Sequence, residues 1–135
     1  MKQFTVQTST KAEMIDITDR IRMLLKESKI KNGVCHVFVP HTTAAVTINE
    51  NADPDVPRDI LMELAKIVPH NDNYRHVEGN SAAHIKASIL GASETVFIEN
   101  GDLVLGTWQS IFFCEFDGPR SRQVIVMLTA LPAPE

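Results

Sequence analysis

The chain has 135 residues, enough for one domain spanning 1–135 with a single core and too few for two. Its 44% hydrophobic and 22% charged fractions are those of an ordinary soluble globule, and no apolar run approaches the length of a membrane span. With 17 acidic and 13 basic residues the net charge is −4, which argues against a general nucleic-acid binder, since phosphate neutralisation calls for a basic excess.

The first residues, MKQFTVQTST, lack the apolar segment of a signal peptide, so secretion is not expected. Cys35 and Cys114 both fall inside apolar, strand-like stretches and read as small buried thiols rather than a disulfide, in keeping with a reducing cytoplasm.

In chain order, Phe4-Thr5-Val6-Gln7 and Met14-Ile15-Asp16-Ile17 alternate as strands do. Thr18 reads as an N-cap, followed by Ile21, Leu24 and Leu25 at helical spacing and by Asn32-Gly33 as the stop. Lys26, Lys29 and Lys31 cluster at that helix's end, where the helix dipole accounts for them. Val34 to Val39 and Ala45 to Ile48 are predicted strands. Asp53-Pro54 predicts a helix start, with Asp53 as a cap and Val56, Ile60, Leu64 and Ile67 or Val68 forming a stripe that Pro69 ends. After a polar loop, Asn80 or Ser81 opens a third helix carrying Ile85, Ile89 and Leu90 and closed by Gly91.

The last third changes character. Asn100-Gly101 between Thr95–Glu99 and Leu103–Leu105 signals a tight hairpin. Trp108 to Phe116 and Gln123 to Leu131 are two longer strands flanking Asp117-Gly118-Pro119. Ile111 to Cys114 and Val124 to Leu128 are apolar on both faces, so both faces need cover. With few helices left, that cover is expected from a second sheet or another subunit. The fold class is α+β, mainly antiparallel sheets with about three helices, and oligomerisation is expected. Gln109 and Glu115, polar groups in so apolar a strand, are expected to bond across subunits or to belong to a site.

Chemistry-bearing residues are bunched in three blocks: His41 to Asp53, Tyr74 to His84, and Glu115 to Arg122. His41, His76 and His84, from three separate elements, are the residue types of a catalytic metal site with an open position, although they match no zinc-finger or HExxH spacing. The alternative is that they are ordinary satisfied polar residues, the reading given to His36 and His70. Thr42 and Thr43 offer hydroxyls to an oxyanion or close a local turn. Asn49 and Glu50 have no capping role to explain them, and Glu50 and Asp117 are the candidate base or metal-orienting carboxylates. The amides at Asn80 can assist anion binding. Arg120 and Arg122 are a candidate phosphate clamp, with Arg120 the principal cation, or else form ion pairs with Asp117. Imidazole ligation favours zinc or another transition metal, while magnesium would enter with substrate oxygens.

Three segments, HTTAAVTINENADPDVPRD, YRHVEGNSAAHIKASILG and LGTWQSIFFCEFDGPRSRQV, resemble the signature segments of the YjbQ family over nearly the whole chain. The resemblance implies a homotrimer with sheets packed orthogonally around a threefold axis. It also implies a weak, secondary thiamin-phosphate synthase activity on phosphorylated and pyrophosphorylated small molecules. It puts a metal at His41, His76 and His84, with Glu50, Asp53, Asp117 and Arg120 in the accompanying motifs. A non-catalytic trimer that binds a small anion or metabolite is the other function class these residues allow.

Overall fold

The computed structural model describes residues 1–132. In chain order it contains β1 (Lys2–Gln7), β2 (Glu13–Asp16), α1 (Thr18–Ser28), β3 (Gly33–Phe38), β4 (Ala44–Glu50), α2 (Asp55–Ile67), α3 (Ser81–Leu90), β5 (Ser93–Glu99), β6 (Asp102–Leu103), β7 (Gln109–Glu115) and β8 (Ser121–Ala130). Every strand pairing is antiparallel. One sheet has the order β1-β8-β3-β5-β6, the other β2-β7-β4. The α+β class predicted from sequence is the one observed.

Several local signals read true. Asn100 (φ 51°) and Gly101 (φ 78°) take the left-handed backbone that a two-residue hairpin demands. The Asp53-Pro54 helix start is in place, but Pro54 holds the N-cap position of α2 with no side-chain capping bond, and Asp53 Oδ1 accepts from the Asp55 N–H at 2.9 Å in a turn just before it. Two helix ends differ from expectation. Thr18 is the first residue of α1 and not its N-cap, a position held by Ile17 without a side-chain bond, and the Asp16 carboxylate accepts from the Thr18 N–H at 2.9 Å. That helix stops at Lys29, in left-handed backbone (φ 62°), before Asn32-Gly33 is reached. Gly33 serves a different purpose: a Cβ there would lie 2.0 Å from the Thr129 carbonyl oxygen, so only glycine lets β3 and β8 close.

The cover of the apolar strands corrects the sequence reading. β7 is the centre of the small sheet and alternates its residues between two cores. Ile111 and Phe113 face the large sheet, packing with Val37, Val124, Val126 and the α1 residues Ile21 and Leu25. Phe112 and Cys114 face the other way, under Leu64 of α2 and Ala83 and Ala87 of α3. The second cover is therefore the chain's own helices. Within α3 the buried side is alanine (Ala82, Ala83, Ala87), while Ile85 and Ile89 are exposed. Small side chains let the helix lie close on β4. Both cysteines are free and buried, and burial pushes the thiols up to about 11 for Cys35 and about 12 for Cys114.

Among the described residues, nothing covers one face of the large sheet. The register places Val34, His36 and Phe38 of β3 beside Thr129, Met127 and Ile125 of β8, and Phe97 beside Val34. Phe38, Phe97 and Met127 on this outer face are exposed.

At one end of the inter-sheet core sits a buried ion pair. Glu115 shares the inward face of β7 with Ile111 and Phe113, and Arg122 shares that of β8 with Val124 and Val126. Arg122 Nε donates to Glu115 Oε1 at 2.9 Å, and Nη2 donates to both Glu115 Oε2 and, at 2.8 Å, Thr43 Oγ1. The carboxylate also accepts from the Thr8 hydroxyl (2.8 Å) and from the Phe116 and Asp117 N–H groups (3.1 Å each). Glu115 is thus satisfied inside one chain, not across subunits as the sequence suggested, and Gln109 accepts locally from the Gly106 N–H at 2.7 Å.

Burial alone would raise the Glu115 carboxyl, but Arg122, Thr8 and the Asp117 N–H outweigh it and hold it below the usual carboxylate range. A depressed folded-state pKa contributes stability above the unfolded value of about 4.3, lost as pH falls through the folded one. Arg122→Met should therefore cost about 3–5 kcal/mol at pH 7 by stranding a buried carboxylate. In chemical denaturation that loss should shrink as pH falls through the raised Glu115 pKa of the variant and on down to the depressed one of the wild type, and Glu115→Gln combined with Arg122→Met should recover much of it.

Candidate functional site

His41 lies in the link between β3 and β4, just past Pro40. The Ala92 carbonyl accepts from the Val39 N–H (2.8 Å) and the Gly91 carbonyl from the Val46 N–H (3.1 Å), so the end of α3 is pinned beside this link. His84 and Ser88, on one side of α3, thereby face His41 across a cavity of about 490 Å³ completed by Thr42, Ala44, Ala87, Gly91 and Ala92. On its other flank His84 lines a second cavity of about 290 Å³ with Tyr74, Arg75, His76, Ser81 and Ile85. The His76 and His84 rings stand edge to face with centroids 5.3 Å apart. All three predicted histidines thus border two adjoining cavities, with His84 common to both.

They do not converge on one point. His41 Nε2 lies 2.9 Å from the Gln123 backbone nitrogen, whose N–H can only donate, so the ring is neutral with its proton on Nδ1. Neither nitrogen of that tautomer has a lone pair free for a metal. Burial, then the Arg122 guanidinium, push the His41 pKa down against the opposing pull of Glu115. Among the described residues no three His, Cys, Asp or Glu side chains are grouped to hold a metal ion. The three-histidine arrangement is therefore not assembled among the described residues, and His76 and His84 are the two whose rings lie against each other.

The other predicted residues divide sharply. Thr42 lines the larger cavity, whereas Thr43 is buried and taken by Arg122. Arg122 is in the ion pair with Glu115 and cannot clamp an anion. Arg120 donates to the Asp117 carbonyl (Nε, 2.8 Å) and carboxylate (Nη2, 2.9 Å), which is the ion-pair alternative. Asp117 is buried and also receives Lys11 Nζ at 2.6 Å and Asn80 Nδ2 at 3.0 Å. Against the opposing effect of burial, Lys11, Asn80 and Arg120 bring its pKa down to about 2, too low for a general base near neutrality. Asn49 and Glu50 sit at the far end of β4, about 20 Å along the strand from its histidine end, and Asn49 Oδ1 accepts from the Glu50 N–H. Neither predicted carboxylate reaches the histidines.

Sequence reasoning placed Tyr74 and Arg75 in its second block without giving them a role, and it missed Ser88 as a lining residue and Lys11 as the partner of Asp117. Ser88 was within reach of it: at i+4 from His84 it shares that residue's helix face.

No helix among the described residues is long and apolar enough to cross a membrane. The family described as UPF0047 protein YjbQ-like matches residues 2–130. A UPF0047 protein of Methanocaldococcus jannaschii is 50% identical over 126 residues, 93% of this chain and 91% of that one. The UPF0047 protein YugU of Bacillus subtilis is 49% identical over 95% of this chain and 98% of its own. A crystal structure of an uncharacterised YjbQ/UPF0047 protein from Clostridium acetobutylicum superposes with a TM-score of 0.94 at 53% identity, covering 96% of this chain and all of that one. A YbjQ-like protein of unknown function from Sulfolobus solfataricus gives a TM-score of 0.92 at 36% identity, covering 96% of each chain. The matched segments contain the two histidine cavities and the buried ion pair, and the chain belongs to the UPF0047, YjbQ-like family.

Proposed function

We propose that this chain is a small metal-dependent enzyme acting on phosphorylated or pyrophosphorylated small molecules, with thiamin-phosphate synthase-like transfer as a secondary activity. The observation that carries the reading is the shared position of His84 between two adjoining cavities. The larger, at about 490 Å³, is of the size that encloses a small metabolite. Among the described residues no Lys or Arg lines that larger cavity, and Arg75 lines the smaller one, so positive charge inside the larger has to come from imidazole or from a bound ion. A divalent ion, zinc or another transition metal by ligand type, would take His76 and His84 as protein ligands and polarise a phosphoryl oxygen. Thr42 offers a hydroxyl to the same oxygens. His41, neutral and pinned by the backbone, orients substrate and does not ligate.

The engagement of Asp117 and the distance of Glu50 favour a second reading, a non-catalytic protein that binds a small anion or metabolite, because neither of these two carboxylates stands ready as a base. Turnover separates the two. A screen against phosphorylated metabolites, with and without added zinc or magnesium, should find metal-stimulated turnover that falls about 10²–10⁴-fold in His84→Ala. Binding without turnover would favour the second reading.

Elemental analysis of dialysed protein should give one divalent ion per chain, lost in His76→Ala and in His84→Ala but kept in His41→Ala. No metal, or equal loss in all three, would overturn the two-histidine assignment.

The exposed outer face of the large sheet is the surface for the homotrimer that the family resemblance implies, since Phe38, Phe97 and Met127 have no cover among the described residues. Light scattering should give three chains for the wild type and a smaller, folded species for Phe97→Asp. A wild-type monomer at micromolar concentration would contradict the assembly.

A further inference from the structure

A smaller cavity of about 140 Å³ lies against α3 and takes no part in the histidine site. Its wall is built by Lys11 and Ala12 from the β1–β2 link, by His70, by Asn80, Ala82, Ala83 and Lys86 at the start of α3, and by Phe116. At 100° per residue, His84 and Ser88 leave the helix on the side opposite Ala82, Ala83 and Lys86, so α3 separates this cavity from the larger histidine one.

Charge does not balance here. Lys11 and Arg120 share a single carboxylate, Asp117. Lys86 is half-buried, and among the described residues it has no carboxylate within ion-pair distance. Its ammonium stands 5.9 Å from the Phe116 ring centroid. Burial and repulsion from Lys11 both push its pKa down, as expected for a cation with a like charge across a small space. An ammonium withdrawn from water without a counter-charge is costly to keep. The same wall holds an acceptor without a donor: Asn80 is turned by Asp117 so that its Oδ1, shielded from solvent, has no hydrogen-bond partner among the described residues. Asn80 also makes no side-chain capping bond to α3.

We infer that this cavity binds a small protonated oxyanion of the monohydrogen phosphate class, Lys11 and Lys86 donating to its oxygens and its hydroxyl supplying Asn80 Oδ1. The anion supplies the missing counter-charge for Lys86, and its O–H is the donor that Asn80 lacks. Sulfate matches the size and charge but carries no proton at neutral pH, so the site ranks it below phosphate. The assignment does not rest on the histidine reading, and either can fail without the other.

Isothermal titration of the full chain with inorganic phosphate at pH 7 and low salt is the test. The expected result is saturable binding of one phosphate per chain, with sulfate binding more weakly. Lys86→Met should weaken phosphate about tenfold or more, Lys86→Arg should keep most of the affinity, and His84→Ala should match wild type. Lys86→Met removes an unpaired cation, so its thermal midpoint should equal or exceed wild type, and a melting curve confirms that the variant is folded. Four results would overturn the inference: no saturable binding at millimolar phosphate, unchanged affinity in Lys86→Met, sulfate binding as tightly as phosphate, or loss of binding in His84→Ala.

Discussion

The buried pair of Glu115 and Arg122 decides much of what surrounds it. Two sheets meeting face to face leave an open end where backbone and side-chain donors would be stranded. Here a carboxylate that accepts from four residues and a guanidinium that donates to two close that end. Because Arg122 turns inward, its neighbour Gln123 presents its backbone N–H to His41, and Thr43 is drawn in as the second acceptor for the guanidinium. The link between β3 and β4 is therefore held at both ends of the His41-Thr42-Thr43 run, leaving Thr42 and one face of His41 toward the cavity. The site's position follows from the seam beside it.

That seam explains why the polar blocks of the sequence hold two different kinds of residue. Glu115, Asp117, Arg120 and Arg122 look like site chemistry by composition, yet among themselves and with Lys11 they are largely neutralised. The histidines look weaker by spacing but border open space. Charged pairs inside apolar strands point to a structural seam as readily as to catalysis, and burial of both partners decides between them.

Local chemistry was legible in the sequence and tertiary cover was not. The Asn100-Gly101 turn and the Asp53-Pro54 helix start depend on one or two residues, so they could be read directly. The cover of β7 could not, because α3 packs through alanines, which carry little hydrophobic signal, and turns Ile85 and Ile89 outward. The Glu115–Arg122 pair had a readable cue: the two residues stand where apolar strands end and begin, at equal distances from the Gly118-Pro119 turn. The tautomer of His41 had none, since it depends on a backbone amide 82 residues away in sequence.

The account turns on His41 being a neutral, backbone-pinned residue that shapes the cavity instead of ligating an ion. Long-range ¹⁵N–¹H correlation spectra of the imidazole nitrogens report this directly. The prediction is a His41 ring protonated on Nδ1 alone, titrating below the ordinary imidazole midpoint of about 6.5 and unchanged by one equivalent of zinc. A wild-type His41 carrying its proton on Nε2, or one whose nitrogens shift on adding zinc, would contradict it.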